Sequence, residues 1–160
     1  MIVGRADELS RIDRVLQEAR EGRSESLVVR GDPGIGKTSL LEAAAERADG
    51  FTVLRAQGVE LEAELPFSGL LELFRPVVAS IERLPAPQGA ALRSALALGP
   101  EEEGERFATH GATLGLLAAA SEDGPVLALI DDAHWLDAGM LKRLAIRAPS
   151  PLTTLDPCRR

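Results

Sequence analysis

A loop of eight residues, 31 to 38, has the residue types and the spacing of a phosphate-binding site. Gly31 and Gly36 are separated by four residues, and Lys37-Thr38 follows the second, in the pattern G-x-x-x-x-G-K-T. Glycines let the backbone curl so that its N–H groups face phosphate oxygens. Lys37 adds a positive charge for the β and γ phosphates, and the Thr38 hydroxyl suits Mg²⁺. The predicted nucleotide-binding residues are Gly31, Asp32, Pro33, Gly34, Ile35, Gly36, Lys37, Thr38 and Ser39.

The segments on both sides of the loop favour this interpretation. Residues 26–30 form a short segment with β-branched side chains, as in a buried strand. The following segment predicts a helix, because apolar residues recur there at helical spacing: Leu40, Leu41, Ala44, Ala45 and Ala48. The positive end of that helix dipole would also attract phosphate. The alternative is a glycine-rich turn that joins a strand to a helix and binds nothing.

A second candidate site follows the apolar run 126–130, which reads as a buried parallel strand after Gly124-Pro125. The run ends at Asp131-Asp132, the arrangement of a Walker B motif. Asp131 is predicted to hold Mg²⁺ together with Thr38. Asp132 is predicted to orient and polarise the attacking water, which makes Asp132 and Lys37 the candidate catalytic residues. The alternative is that the two acids cap a following helix.

The rest of the chain predicts elements that can position these two sites. An apolar stripe, Leu9, Ile12, Val15, Leu16 and Ala19, indicates a first helix. Residues 51–56 follow the turn Asp49-Gly50 as a second strand. Residues 60–100 interrupt this rhythm as a helical insertion with no visible chemistry, and a further helix leads to the Walker B strand. Strands that alternate with helices predict an α/β fold with a parallel sheet.

Four segments in this order resemble the ATPase module of the STAND class of AAA-like regulators. They are Val3-Gly4-Arg5 with Glu8, the loop 31–38, the segment 64–70 (Glu-Leu-Pro-Phe-Ser-Gly-Leu) and the segment 131–137 (Asp-Asp-Ala-His-Trp-Leu-Asp). The chain is most similar to the bacterial large ATP-binding LuxR-type transcription activators, and similar modules are fused to cyclases and kinases. The resemblance covers residues 1–140.

The resemblance implies a P-loop NTPase fold, with a three-layer parallel sheet flanked by helices, that is incomplete at the C-terminus. It also implies that ATP binding and slow hydrolysis, with Mg²⁺, switch the module between a resting form and an assembly-competent form. ATP, ADP and further copies of the chain are the implied partners. In such modules the residues that match Gly4 and Arg5 lie near the nucleotide. The alternative for Arg5 is a solvated side chain beside a helix that Asp7 caps.

Residues 141–160 depart from the family, because they have no periodicity and are rich in proline. We expect a truncation or a frameshift here, and the alternative is a natural disordered tail. In related folds a later strand lies between the Walker A and Walker B strands. We expect that strand to be missing, so that its place in the sheet is empty. Either the Walker A and Walker B strands then close up directly, which alters the geometry between the loop and Asp131, or the chain is marginally stable and poorly soluble.

Composition limits the functions that this segment can have. The net charge of −7 disfavours nucleic-acid binding, which needs clustered Lys and Arg. A single cysteine, Cys158, and the absence of a signal peptide or an apolar run near 20 residues favour the cytoplasm and no membrane contact.

Three functional hypotheses follow from these observations. They are a signalling ATPase module, a nucleotide-binding scaffold without hydrolysis, and a non-functional fragment. The role of His134 stays open. It could contact the γ-phosphate, contact a neighbouring subunit or pack on Trp135.

Overall fold

The computed structural model describes residues 4–62, 68–96, 98, 106–136 and 153–155. Five α-helices and four strands lie in these ranges: α1 (Ala6–Arg20), β1 (Leu27–Val29), α2 (Lys37–Arg47), β2 (Thr52–Gln57), α3 (Ser68–Phe74), α4 (Ala86–Ala95), α5 (Arg106–Ser121), β3 (Val126–Asp131) and β4 (Thr153–Leu155). Short 3₁₀ helices cover Glu60–Glu62, Arg75–Arg83 and Ala133–Trp135. The predicted α/β class is therefore confirmed.

The strands pair in parallel, as the alternation of strands and helices predicts. Strand β2 pairs with β3 over its whole length, from Thr52 opposite Val126 to Gln57 opposite Asp131. Strand β1 pairs with β4, from Leu27 opposite Thr153 to Val29 opposite Leu155. The carboxyl ends of β1 and β3 are the places where the phosphate loop and the Walker B acids begin. The three-layer description of a complete sheet stays a prediction.

The pairing of β1 with β4 corrects one expectation. The place beside β1 was predicted to be empty, yet Thr153–Leu155 pairs there. A three-residue strand has no periodicity of its own, and the prolines at 151 and 157 hide it in the sequence. The pairing is set by tertiary contacts, which composition does not reveal.

Apolar side chains cover the β2–β3 pair on two sides. One cluster joins α1 and α2 to β3, with Leu16, Leu40 and Leu129 buried within it. The other joins the insertion and α5 to β2, with Leu54, Phe74 and further side chains buried. Alternate residues of β2 and β3 enter the two clusters, as the period of a strand requires. Both faces of this pair are therefore held by helices.

Several sequence predictions concern residues outside the described ranges. They are Val3, residues 64–67, Asp137 and, apart from 153–155, the segment 141–160. The division of the chain at residue 140 thus stays a prediction.

Candidate functional site

The phosphate loop connects β1 to α2 and contains two left-handed glycines. Gly34 has φ +78° and Gly36 has φ +92°, a region that side chains rarely adopt. A Cβ at either position would meet no atom within 4 Å, so backbone conformation and not space requires glycine there. Helix α2 begins directly after Gly36, and no side chain caps its first N–H groups. These uncapped donors, with the helix dipole, form an anion-binding end.

Lys37 lies over the same loop. Its Nζ donates hydrogen bonds to the carbonyl oxygens of Gly31 and Asp32, both at 3.1 Å. The ammonium group is therefore held beside the backbone donors that the glycines arrange. Positive charge and N–H groups at one place suit a polyphosphate.

The structure brings the Walker A and Walker B segments together through one hydrogen bond. Thr38 Oγ1 donates to Asp131 Oδ2 at 2.7 Å, across 93 positions of sequence. Asp131 Oδ1 accepts the backbone N–H of Asp132 at 2.9 Å, so both carboxylate oxygens are held. A hydroxyl and a carboxylate at this distance are the hard oxygen donors that Mg²⁺ prefers. Among the described residues no group of three or more His, Cys, Asp and Glu could hold a metal, so these two donors would share the ion with phosphate and water.

Asp132 has an unusual backbone conformation. Its φ is +46°, the only positive value for a non-glycine residue in the described part of the chain. It precedes the 3₁₀ turn Ala133–Trp135, but its side chain makes no capping hydrogen bond. The alternative in which this carboxylate serves as a helix cap is therefore wrong. The His134 ring packs on Trp135 at 4.8 Å between centroids, which favours the packing alternative for that histidine.

Gly58 holds the same turn from the end of β2. Its N–H donates to the Asp131 carbonyl at 3.0 Å. A Cβ at position 58 would lie 2.2 Å from the Asp132 carbonyl oxygen and 3.0 Å from Trp135 Cβ. Only glycine allows this close approach, so Gly58 positions the backbone of the Walker B turn.

Arg5 contacts the phosphate loop and is not a solvated side chain. One guanidinium nitrogen donates to the Ile35 carbonyl at 2.5 Å, and another to Glu8 at 2.9 Å. The side chains of Arg5 and Glu8 are each only 15% exposed. The alternative with Asp7 as the helix cap is wrong, because Arg5 itself occupies the cap position and Asp7 lies in the first turn of α1. Gly4 has φ +78°, and a Cβ at this position would meet no atom within 4 Å.

A cleft of about 230 Å³ opens beside the Thr38–Asp131 pair. Gln57 at the end of β2 and Glu72 on α3 also line it. Sequence reasoning missed both residues. Gln57 could have been found from the rule that sites form at the carboxyl ends of parallel strands. Glu72 is the single charged residue in the stretch 70–74, a weak signal within an apolar helix.

The Arg5–Glu8 pair predicts an acid-sensitive contribution to stability. The hydrogen bond from Arg5 holds the pKa of the Glu8 carboxyl below its ordinary value of 4.5. A carboxyl whose pKa is lower in the folded state stabilises the fold above its ordinary pKa, and this contribution disappears as pH falls through the lowered value. We expect Glu8→Gln to lower the free energy of unfolding at pH 7, and we expect this effect to diminish as the pH falls below the ordinary pKa of 4.5. Urea unfolding of both proteins at several pH values tests this, and a difference that does not change with pH would contradict it.

The comparison with family models gives a match. A family model described as an AAA ATPase domain matches residues 2–148. Comparison of the chain with curated proteins and with solved structures gives no match. In the described part of the chain, no helix has both the length and the apolar character that crossing a membrane requires. Since the match spans most of the sequence, the chain belongs to the AAA ATPase domain family.

Proposed function

We propose that this chain is a Mg²⁺-dependent module that binds ATP, hydrolyses it slowly, and acts as a switch in a signalling or transcription-regulating protein. The observation that carries the proposal is the hydrogen bond between Thr38 and Asp131. It joins two oxygen donors from distant segments at the end of a phosphate loop. Membership of the AAA ATPase domain family supports the nucleotide chemistry. The STAND and LuxR-type resemblance of the motifs supports the regulatory role.

Each proposed site residue has a distinct part in this chemistry. The backbone of residues 31–36 and the first N–H groups of α2 bind the phosphates. Lys37 neutralises charge on the β and γ phosphates. Thr38 and Asp131 would hold Mg²⁺, which when bound draws the phosphate oxygens together and offsets their charge. Asp132 orients the attacking water.

Arg5 is proposed to fix the loop from outside. Its bond to the Ile35 carbonyl anchors the residue between the two left-handed glycines. An anchored loop loses less conformational entropy when it binds phosphate, which favours affinity. The proposal that Gly4 lies near the nucleotide rests on the family resemblance alone.

The remaining parts of the proposal concern the setting of the module. We propose for this module a three-layer parallel sheet, a cytoplasmic location and self-association in the ATP-bound form. The net charge of −7 supports the absence of direct nucleic-acid binding by this segment.

Binding and turnover are tested on the whole chain. Thermal melts are recorded with ATP and Mg²⁺, with ATP and EDTA, and with Mg²⁺ alone, and phosphate release is followed in parallel. A ligand that binds only the folded form adds about 2.7 kcal/mol at a hundredfold excess over Kd, so a clear upward shift is expected only with ATP and Mg²⁺ together. Phosphate release with this shift supports the hydrolase, whereas a shift without release supports the scaffold. A melt that does not shift with ATP and Mg²⁺ would overturn nucleotide binding and favour the hypothesis of a non-functional fragment.

A further inference from the structure

Glu8 and Arg5 form an ion pair that lies against the phosphate loop. Arg5 Nη1 donates to Glu8 Oε1 at 2.9 Å, and Arg5 Nη2 donates to the Ile35 carbonyl at 2.5 Å. Because one planar guanidinium makes both bonds, the Glu8 carboxylate fixes the direction in which the second nitrogen points. Glu8 is therefore linked to the loop through Arg5.

The packing of α1 holds this pair in place. Ile12 and Leu16 of α1 are buried in one apolar cluster with Leu40 of α2. Helix α2 begins directly after the phosphate loop, and α1 begins directly after Arg5. Because the two helices pack together, α1 carries Arg5 to a fixed position at the loop.

The bond to Ile35 sets the orientation of one peptide unit of the loop. The Ile35–Gly36 peptide is trans, so its carbonyl oxygen and its N–H point to opposite sides. With the carbonyl turned towards Arg5, the Gly36 N–H faces away from Arg5. In the described part of the chain this N–H donates to no acceptor, and it directly precedes the uncapped N–H groups of α2. A donor at this place is available to a phosphate oxygen.

This peptide unit needs an external anchor because glycines stand on both sides of Ile35. Gly34 and Gly36 have positive φ values, and glycine populates positive and negative φ about equally. Rotation of the peptide would exchange the directions of its N–H and its carbonyl, so that an oxygen would face the phosphate and repel it. Arg5 opposes this rotation because it holds the carbonyl, and Glu8 holds Arg5.

We propose that Glu8 is a positioning residue for the phosphate loop, which through Arg5 keeps the Gly36 N–H directed at the phosphates of ATP. This inference rests on the proposed function. It requires an effect with a sign opposite to that of simple electrostatics. Removal of a negative charge close to a phosphate site would by itself tighten binding. Removal of the Glu8 carboxylate should instead weaken binding, because Arg5 loses its orientation.

The test compares Glu8→Gln, Arg5→Met, the double variant and the control Glu18→Gln with the parent chain. Glu18→Gln makes the same charge change near the other end of α1, in a carboxylate that also accepts a hydrogen bond from an arginine, Arg23. Calorimetric titration, at a temperature at which every variant is folded, gives Kd for ATP and for inorganic pyrophosphate, each with Mg²⁺. Pyrophosphate probes the loop without a nucleoside.

We expect Glu8→Gln to raise both Kd values about tenfold, the size of one hydrogen bond. Where the parent releases phosphate, kcat at saturating ATP should stay within about twofold, because the lost interaction holds the ground state and the transition state equally. Glu18→Gln is expected to keep every value within about twofold of the parent.

The double variant separates positioning from a general loosening of α1. If Glu8 acts only through Arg5, the double variant binds no more weakly than Arg5→Met alone. Additive losses would overturn the proposal, and so would a Kd in Glu8→Gln equal to or below that of the parent, while nucleotide binding stands. A loss confined to ATP, or a parent that binds ATP but not pyrophosphate, would overturn it by placing the binding energy at the nucleoside. A parent that binds neither ligand would overturn the proposed function as well.

Discussion

Lys37→Ala is expected to remove the stabilisation of the chain by ATP and Mg²⁺. The lysine contributes a charge-assisted interaction with phosphate, and such bonds are worth about 1.5–3 kcal/mol each. Loss of about 3 kcal/mol weakens binding roughly 100-fold. At ATP concentrations that saturate the parent, the variant should therefore show almost no shift in its thermal melt, and phosphate release should fall with it.

The melt without nucleotide separates binding from folding. Among the described residues Lys37 donates to only two carbonyls, both in the exposed loop, so its removal should change the unliganded stability by about 1 kcal/mol or less. Arg14→Ala is the control, because it removes the same charge from the exposed side of α1. If ATP and Mg²⁺ raise the melting temperature of Lys37→Ala as much as that of Arg14→Ala, the phosphates bind elsewhere.

The phosphate loop is the part of the site that the sequence predicts best. Its requirements are local: glycine where φ is positive, lysine and threonine at the start of a helix, and a short apolar strand before them. In the described residues β1 and β3 lie in separate two-stranded sheets, so the meeting of Thr38 with Asp131 depends on the packing of α2 against β3. Their role in metal binding stays a prediction, because only a measurement with Mg²⁺ tests it.

The features that the sequence missed or left open depend on contacts that no local pattern carries. Glu72 belongs to the site because α3 packs on β2 and places it beside Gln57. Arg5 reaches the loop because α1 and α2 share one apolar cluster, so the solvated alternative fails for a tertiary reason. Strand β4 is three residues long and is defined only by its partner β1. In each case the chemistry of the residue is visible in the sequence but its neighbour is not.

Gly58→Ala is expected to damage turnover more than nucleotide binding. The new Cβ would lie 2.2 Å from the carbonyl oxygen of Asp132, a distance that real contacts do not reach. A backbone atom cannot rotate away as a side chain can, so the end of β2 and the Walker B turn must separate. Asp132 already has a left-handed backbone, which the surrounding packing must hold in place. Overpacking of this kind costs about 1–3 kcal/mol of stability.

The separation should displace Asp131 and Asp132 but leave the phosphate loop on the other strand intact. Misplacement by about 1 Å can cost about 10²-fold in rate, so kcat should fall by that order while Kd for ATP changes severalfold at most. Gly111→Ala is the matched control, because a Cβ there meets no atom within 4 Å and α5 is a helix that alanine favours. Phosphate release, ATP titration and urea unfolding of both variants test the prediction. Parental stability and turnover in Gly58→Ala would mean that the two strand ends do not approach each other as closely as the Gly58–Asp132 contact requires.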